Sequence, residues 1–321
     1  MDSARALNST TRIEEAEEKA VSGMVSSIRR LAIHDGPGMR TIVFLKGCPL
    51  QCMWCAAPET HSPNRELLFY PERCLGCDNC LEACSEDAII ASPSGHRTID
   101  RPRCTVCGKC AEVCYAEALR IIGERKTVQQ VIAEVARDNV FYEHSGGGVT
   151  LSGGEPLQQV EFTRALLQAC KKSGFHTAME TCGFQSWKLF KTTLSYLDLL
   201  LYDVKHMDSL KHKKFTGVSN EIILSNLRKA AATGVETIIR VPVVPGFSDD
   251  EENITVMGDF LRGINGIKRV DLLPYHRLGE NTYRRLDREY TLSDVPLKPE
   301  AELQHLAEIL IKGGFEVHIG G

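Results

Sequence analysis

The sequence predicts an α/β fold, a partial (β/α)6 TIM-like barrel with a small metal-organised domain inserted into it. Short β-branched, apolar runs alternate with helical patterns from residue 40 onward, as repeated strand–helix units require. Eleven of the 13 cysteines lie between Cys48 and Cys114, where this alternation is interrupted. The prediction therefore divides the chain into a polar tail at 1–23, a first strand with a cysteine loop at 24–65, an insertion at 66–122 and the remaining barrel at 123–321.

Composition is that of a globular protein: 43% of the 321 residues are hydrophobic, 25% are charged and the formal net charge is −4. The weak acidity provides no overall basic field for nucleic acid, and the longest apolar runs, such as 199–204, are too short to cross a membrane. The clustered cysteines, with no secretory apolar segment near the N-terminus, indicate metal ligation in a reducing cytoplasm.

The strand and helix predictions rest on local patterns. Two helix starts carry capping boxes, Thr127 with Gln130 and Ser248 with Glu251. The last helix is predicted at 298–312. Strands are predicted at 40–46, 149–152, 176–180, 197–204, 236–242, 268–273 and 315–319.

The first cysteine group follows the first predicted strand and has the spacing C-x3-C-x2-C, formed by Cys48, Cys52 and Cys55. Three thiolates would leave one iron of a four-iron cluster free to bind another molecule, which distinguishes an open reactive site from a closed structural one. A structural zinc with a distant fourth ligand is the alternative.

The second and third cysteine groups share the spacing C-x2-C-x2-C-x3-C. This spacing is that of two-cluster bacterial ferredoxins, in which the fourth cysteine of each motif ligates the other cluster. Ser85 and Tyr115 stand where ferredoxins have proline, which alters the local turn. Zinc knuckles are the alternative. The predicted ligand sets are Cys74, Cys77, Cys80 and Cys114 for one cluster, and Cys104, Cys107, Cys110 and Cys84 for the other.

Polar residues follow the predicted strands, and the carboxyl ends of parallel strands meet at one edge of a barrel. Gly153 and Gly154 permit close backbone approach to a ligand, and Glu155 after them could accept from an ammonium group. Lys205 and Arg240 suit a carboxylate. Together they describe an amino-acid-shaped ligand, although each alone is typical of a turn, an ion pair or a loop. After the three cysteines, the residues are Gly153, Gly154, Glu155, Glu180, Thr181, Asp203, Lys205, Arg240 and His276.

With these motifs the sequence resembles a known family, the radical S-adenosylmethionine (SAM) activating enzymes of glycyl radical enzymes. The resemblance covers about residues 24 to 321. It is carried by DGPGMRTIVFLKGC at 35–48 with the following C-x3-C-x-W-C, SGGEP at 152–156, DVK at 203–205, RVP at 240–242 and LPYHRLG at 273–279.

The resemblance implies that the first three cysteines hold a [4Fe–4S] cluster whose fourth iron chelates the amino and carboxylate groups of SAM. With the two accessory clusters, the chain would carry three [4Fe–4S] clusters. The implied SAM contacts are Gly153, Gly154 and Glu155 for the amino end, Lys205 and Arg240 for the carboxylate, and His276 with the segment of Trp54 for the nucleoside.

Two further sets are implied by the resemblance. A monovalent-cation site would lie beside the SAM carboxylate, although the pyruvate formate-lyase activase has Asp where Glu180 stands and also lacks the insertion. The DGPG turn would lie near the partner's substrate peptide, or it is an ordinary tight turn. The cation residues are Glu180, Thr181, Leu201 (through its carbonyl) and Asp203; the peptide residues are Asp35, Gly36, Pro37, Gly38 and Arg40.

The resemblance implies reductive cleavage of SAM to methionine and a 5′-deoxyadenosyl radical, which removes a hydrogen atom from a glycine of a large partner enzyme. That partner would be a decarboxylase, lyase or dehydratase. The accessory clusters would relay electrons from a ferredoxin or flavodoxin, or would be structural. A radical SAM enzyme acting on a small molecule, and a ferredoxin-type electron-transfer module, are the two alternatives.

Overall fold

The computed structural model describes residues 21–91 and 97–320. Within these residues, no helix has the length and apolar character needed to cross a bilayer. The strands are β1 (Ser22–Ala32), β2 (Arg40–Leu45), β3 (Glu66–Phe69), β4 (Ile89–Ala91), β5 (Arg97–Ile99), β6 (Leu119–Ile122), β7 (Glu124–Thr127), β8 (Gly148–Gly153), β9 (His176–Thr181), β10 (Leu199–Asp203), β11 (Glu236–Val243), β12 (Arg269–Pro274) and β13 (Glu316–Ile319).

The α-helices alternate with the later strands, as the sequence predicts. The short helices Asn79–Glu82 and Lys109–Glu112 belong to the insertion. The others are Val128–Val135, Asn139–Ser145, Val160–Lys172, Trp187–Leu194, Ser209–Thr216, Glu221–Ala231, Glu251–Arg262, Glu280–Arg285 and Glu300–Lys312.

A nine-stranded sheet forms the main body, in the order β13-β12-β11-β10-β9-β8-β2-β1-β7. Within this sheet, the adjacent strands among β2, β8, β9, β10, β11, β12 and β13 pair in parallel, whereas β1 pairs antiparallel with both β2 and β7. The sheet is therefore open, with β7 and β13 as its edge strands. The predicted parallel strands are present, but the antiparallel extension by β1 and β7 was not predicted.

The predicted polar tail at 1–23 lies almost wholly outside the described residues. Its last two residues, Ser22 and Gly23, are described and belong to β1, so they are not part of a tail. This strand has no regular alternation of apolar and polar residues, so period-two patterning does not reveal it.

Of the two predicted capping boxes, the one at Thr127 is confirmed, with both reciprocal hydrogen bonds to Gln130. The one at Ser248 is wrong. Asp250 caps the helix by accepting from Asn253 N at 2.8 Å. The Ser248 hydroxyl is instead buried and accepts from Val244 N at 3.0 Å, so it closes the turn after β11.

The cysteine-rich segment has its own small core beside the main sheet. Its frame consists of the two-stranded ribbons β3–β6 and β4–β5. Glu66, at the start of β3, joins it to the main body: it accepts from Lys46 Nζ at 3.0 Å and forms an ion pair with Arg288. Lys46 is fully buried, so this contact fixes one end of the β3–β6 ribbon next to the loop that follows β2.

Candidate active site

The cysteine loop, residues 47–55, follows β2 and is held through its backbone. On one side Gly47 N donates to Thr60 O at 2.7 Å and Cys48 N to His61 O at 3.0 Å. On the other side Gln51 N donates to the Thr216 carbonyl at 2.7 Å. Backbone bonds on two sides fix the positions from which the three thiols project.

The three thiols are close enough to disfavour one another's ionisation. Burial raises the pKa of Cys48 and of Cys55, the latter to about 12, and in both cases the neighbouring Cys52 adds to the effect. Thiolates in such surroundings need a positive partner, which a metal supplies. Among the described residues no three His, Cys, Asp or Glu side chains converge on a single ion. A cluster binds each thiolate on a separate iron, so this donor set fits a cluster better than one zinc.

Gly153 and Gly154 bring the end of β8 against the cysteine loop. A Cβ on Gly153 would lie 2.5 Å from Leu45 O, and one on Gly154 would lie 2.9 Å from Thr60 O. Both distances are too short for any side chain. Glycine is therefore required here by packing of backbone on backbone, whether or not a ligand also approaches.

Glu155 does not face an open site, contrary to the prediction that it receives an ammonium group. Its side chain is 1% exposed. One oxygen accepts from Thr181 Oγ1 at 2.6 Å and Leu157 N at 3.0 Å, and the other from Cys182 N at 2.9 Å and Cys182 Sγ at 3.0 Å. Because all of its acceptor capacity is used, Glu155 acts as a positioning residue that joins the ends of β8 and β9.

Arg240 is the centre of a charged network on one face of the main sheet. Its Nη1 donates to Glu180 Oε1 at 2.7 Å and to Asp35 Oδ1 at 3.2 Å, and its Nη2 donates to the His34 carbonyl. Burial opposes the charge of Glu180, yet Arg240 and the Ser152 hydroxyl outweigh it and lower the pKa of Glu180. Arg240 Nε is buried without a hydrogen-bond partner in the described residues, which leaves one donor for a ligand.

Lys205 lies on the same side and donates to Asp203 Oδ2 at 2.8 Å. Although burial opposes its charge, Asp203 raises the pKa of Lys205, which therefore stays protonated. Cys52 is also within its electrostatic reach. The structure thus brings the predicted carboxylate-binding lysine to the cysteine loop.

The predicted cation residues are only partly brought together. Glu180 and Asp203 share one side of the sheet but are paired with Arg240 and Lys205. Thr181 faces the other side of the sheet, because successive residues of a strand face opposite ways, and its hydroxyl donates to Glu155 at 2.6 Å. Its place in a cation site stays a prediction. Leu201 is buried between Glu180 and Ile238 in the sheet register.

Trp54 belongs to an aromatic cluster that the sequence did not indicate. Its ring centroid lies 4.7 Å from that of Phe247, which also lies 4.5 Å from Phe215 and 5.1 Å from His206. Phe247 follows the end of β11 and His206 follows Lys205, so both stand at strand ends where polar residues alone were considered. His276 is exposed and its ring nitrogen accepts from Leu278 N at 3.3 Å.

The DGPG turn is tied to the interior by Asp35, whose carbonyl accepts from Thr150 Oγ1 at 2.8 Å. Pro37 is exposed, whereas Gly36 and Gly38 are half-buried. Arg40 is not available to a peptide, which corrects the prediction. It is fully buried and donates to Thr150 Oγ1 at 2.7 Å, to the Pro37 carbonyl at 3.0 Å and to the Val149 carbonyl at 2.9 Å. Burial lowers the pKa of Arg40 to about 10. Through its hydrogen bond to the Pro37 carbonyl, this guanidinium supports the turn from the interior side.

The eight cysteines of the insertion line two separate cavities. The grouping of the cysteines is the one that the ferredoxin-like spacing predicts. Burial and the neighbouring thiols raise the pKa of Cys110 to about 11. The outer cavity is lined by Cys74, Cys77, Cys80 and Cys114, and the inner cavity by Cys84, Cys104, Cys107 and Cys110.

Comparisons with known proteins agree with this architecture. The radical SAM superfamily matches residues 103–256, a 4Fe-4S dicluster domain matches 66–124 and a 4Fe-4S single cluster domain matches 34–92. A radical SAM methyltransferase from Sphaerobacter thermophilus has a similar fold, with a TM-score of 0.51 and 14% identity, covering 97% of this chain and 80% of that one.

Two curated relatives cover most of the chain. The isethionate sulfite-lyase activating enzyme of Nitratidesulfovibrio vulgaris is 43% identical over 289 residues, covering 88% of this chain and 94% of that protein. The trans-4-hydroxy-L-proline dehydratase activating enzyme of Clostridioides difficile is 39% identical over 301 residues, covering 93% and 99%.

Proposed function

We infer the function from one premise: the chain belongs to the activating enzymes of glycyl radical enzymes, within the radical SAM superfamily. We propose that it cleaves SAM reductively and abstracts a hydrogen atom from a glycine of a partner glycyl radical enzyme in the cytoplasm. One observation carries the proposal. Lys205, which follows β10, lies within electrostatic reach of Cys52 in the cysteine loop, and Arg240, which is paired with Asp203 in the register of β10 and β11, keeps a buried Nε without a partner among the described residues.

A [4Fe–4S] cluster held by Cys48, Cys52 and Cys55 would, when reduced, supply the electron that divides SAM into methionine and a 5′-deoxyadenosyl radical. Lys205 and Arg240 would hold the carboxylate of SAM, since Arg240 is buried, the Lys205 side chain is 12% exposed and both stay charged. The backbone at Gly153 and Gly154 would face the amino group, and Glu155 would fix that backbone without touching the ligand. Trp54 and His276 would bound the nucleoside.

The partner's glycine would approach by the DGPG turn. Asp35 is held by Arg240 at 3.2 Å, so the position of the turn depends on a residue that we also assign to SAM. Occupancy by SAM and the position of the turn are thereby linked through one guanidinium. Glu180 and Asp203 would compensate charge there, together with a monovalent cation if one binds.

The partner class follows from the relatives, whose names are those of activators of a lyase and a dehydratase. We propose a lyase, dehydratase or decarboxylase as the partner of this chain. Electrons would come from a ferredoxin or flavodoxin, by way of two further [4Fe–4S] clusters in the insertion.

The experiment is anaerobic reconstitution with iron and sulfide, reduction with dithionite, and addition of SAM. We expect 5′-deoxyadenosine and, with a glycyl radical enzyme present, a doublet glycyl radical signal in electron paramagnetic resonance. Absence of 5′-deoxyadenosine would contradict any radical SAM activity. Formation of 5′-deoxyadenosine without a glycyl radical on any lyase, dehydratase or decarboxylase partner would favour a small-molecule substrate.

A further inference from the structure

The two halves of the insertion have the same cysteine spacing but different surroundings. Gly76 and Val106 occupy the same place in the two motifs, as do Asp78 and Gly108. Gly76 and Asp78 are both exposed, whereas Val106 is half-buried and Gly108 is buried. The loop of the outer cavity therefore projects into solvent, and the loop of the inner cavity packs against the protein.

The β3–β6 ribbon fixes the order of the two cavities along one line. Leu67 and Ile121 are paired across the ribbon and line the inner cavity; Phe69 and Leu119 are paired and line the outer one. The outer pair is two residues farther along the strand from Glu66, which is roughly 6.6 Å. Because Glu66 contacts Lys46 next to the cysteine loop, the order is cysteine loop, inner cavity, outer cavity.

Apolar side chains are exposed where the outer cavity meets solvent. Leu75 is 79% exposed and Tyr115 is 90% exposed, and both line this cavity. Cys77, which lines the same cavity, is itself exposed. The equivalent positions of the other motif carry Thr105 and Ser85, so the exposed apolar surface belongs to one half only. Exposed apolar residues of this size at a cofactor ligand are typical of a protein contact.

A positive edge adjoins this apolar surface. Three guanidinium groups lie against the ring of Tyr70, at 4.2 Å for Arg285, 4.8 Å for Arg73 and 5.7 Å for Arg120. Arg73 directly precedes Cys74. Two carboxylates, Glu72 and Glu117, pair with these arginines, which leaves one cation in excess in this group of five. Asp78, which lines the outer cavity, pairs with Arg97. The excess is local, because residues 66–122 as a whole carry nine Asp or Glu and six Lys or Arg.

We propose that the outer cavity is the point at which electrons enter, and that the surface formed by Leu75, Tyr115, Tyr70, Arg73 and Arg120 docks an acidic one-electron carrier protein. This entry surface rests on the proposed function, because it specifies the electron donor of that reaction. The carrier is oxidised by one electron, which passes from the outer cysteine set to the inner set and on to the cysteine loop. No proton or atom is transferred in this step.

An acidic protein fits this surface better than a neutral one. A small apolar centre with a charged rim is the arrangement of transient protein contacts, and rim charges set the association rate and its dependence on salt. The large partner enzyme would instead reach the DGPG turn, which is held by Arg240 and Thr150 of the main sheet and whose residues are not among those that line the outer cavity. The entry surface is thus free for a second, smaller protein.

The test measures binding of flavodoxin, an acidic flavin carrier, to the anaerobically loaded full chain by fluorescence anisotropy at low and high salt. The variant is Arg73→Glu. Its matched control is Arg103→Glu, since Arg103 precedes Cys104 as Arg73 precedes Cys74 and its side chain is more exposed, at 64% against 43%. Iron and sulfide content confirm that both variants are loaded. A rapid-mixing experiment follows bleaching of the accessory clusters by flavodoxin hydroquinone.

We expect Arg73→Glu to weaken binding about tenfold at low salt and to slow the bleaching, and Arg103→Glu to leave both within about twofold of the wild type. Equal loss in both variants, no loss in either, or no binding of flavodoxin to the wild type would overturn the proposal. SAM cleavage by the wild type with dithionite is measured separately. Its failure would remove the proposed function, and it does not depend on the entry surface.

Discussion

The main sheet and the insertion are stabilised in different ways. The main sheet buries apolar side chains on both faces of its parallel strands, and β8, β10 and β11 are buried almost along their whole length. Among its described residues, 66–91 and 97–122, the insertion has a core of eight buried residues, two of which are cysteines, with four more cysteines packed against it. A core so small holds few apolar contacts, so its stability depends on what the cysteines bind. The comparison indicates that metal is part of the fold in one region and part of the chemistry in the other.

Removal of iron should separate the two regions most strongly. We expect amide hydrogen exchange in 66–122 to accelerate at least about a hundredfold in the iron-free chain, while β8 to β11 keep their protection. Hydrogen-exchange mass spectrometry of the loaded and iron-free protein is the measurement. Unchanged protection in the insertion would mean that its small core is sufficient by itself.

Cys52→Ala should show the reverse, with loss of chemistry and retention of fold. We expect no 5′-deoxyadenosine above background, loss of about one third of the iron, and intact accessory clusters. The control is Cys170→Ala, a cysteine fully buried in the helix Val160–Lys172. It should cost about 1 kcal/mol of stability and keep SAM cleavage. Cleavage retained by Cys52→Ala would refute the assignment of the cluster.

Arg40→Met should affect the main sheet alone. The substitution leaves Thr150 and the carbonyls of Val149 and Pro37 without their donor, and we expect a loss of about 3 kcal/mol in the free energy of unfolding. Chemical denaturation followed by circular dichroism measures it, with the exposed Arg137→Met as control. A change below about 1 kcal/mol would mean that the buried guanidinium is dispensable for packing.

Asp138 gives the smallest effect, and it depends on pH. Its carboxylate accepts from Arg30 Nε at 2.9 Å and from Thr41 Oγ1 at 2.6 Å, and these hydrogen bonds lower its pKa below 3.8. A carboxyl with a depressed pKa in the folded state stabilises above its unfolded pKa and loses that contribution as pH falls through the folded value. We expect the contribution of Asp138 to the free energy of unfolding to fall by about 1 to 2 kcal/mol between pH 6 and pH 2. This part of the pH dependence should be absent in Asp138→Asn. Parallel curves for both proteins would contradict this.

Sequence reasoning succeeded where the relevant pattern is local. The parallel strands, the cap at Thr127 and the grouping of the eight accessory cysteines were all expected from spacing and periodicity. It failed where a side chain's partner comes from a distant segment. Glu155 meets Cys182, 27 residues away, and Arg40 meets Thr150, 110 residues away; neither contact has a trace in the local sequence.

Residue type and short spacing are enough to specify the positions of the thiols, the alternation of strands and helices and the family that the pattern resembles. The support that Glu155 and Arg40 give the site from within, and the difference in exposure between two motifs of equal spacing, become visible in the folded chain alone. The physical reason is that burial and hydrogen-bond pairing depend on the whole fold, since each polar group takes the partner that packing brings to it.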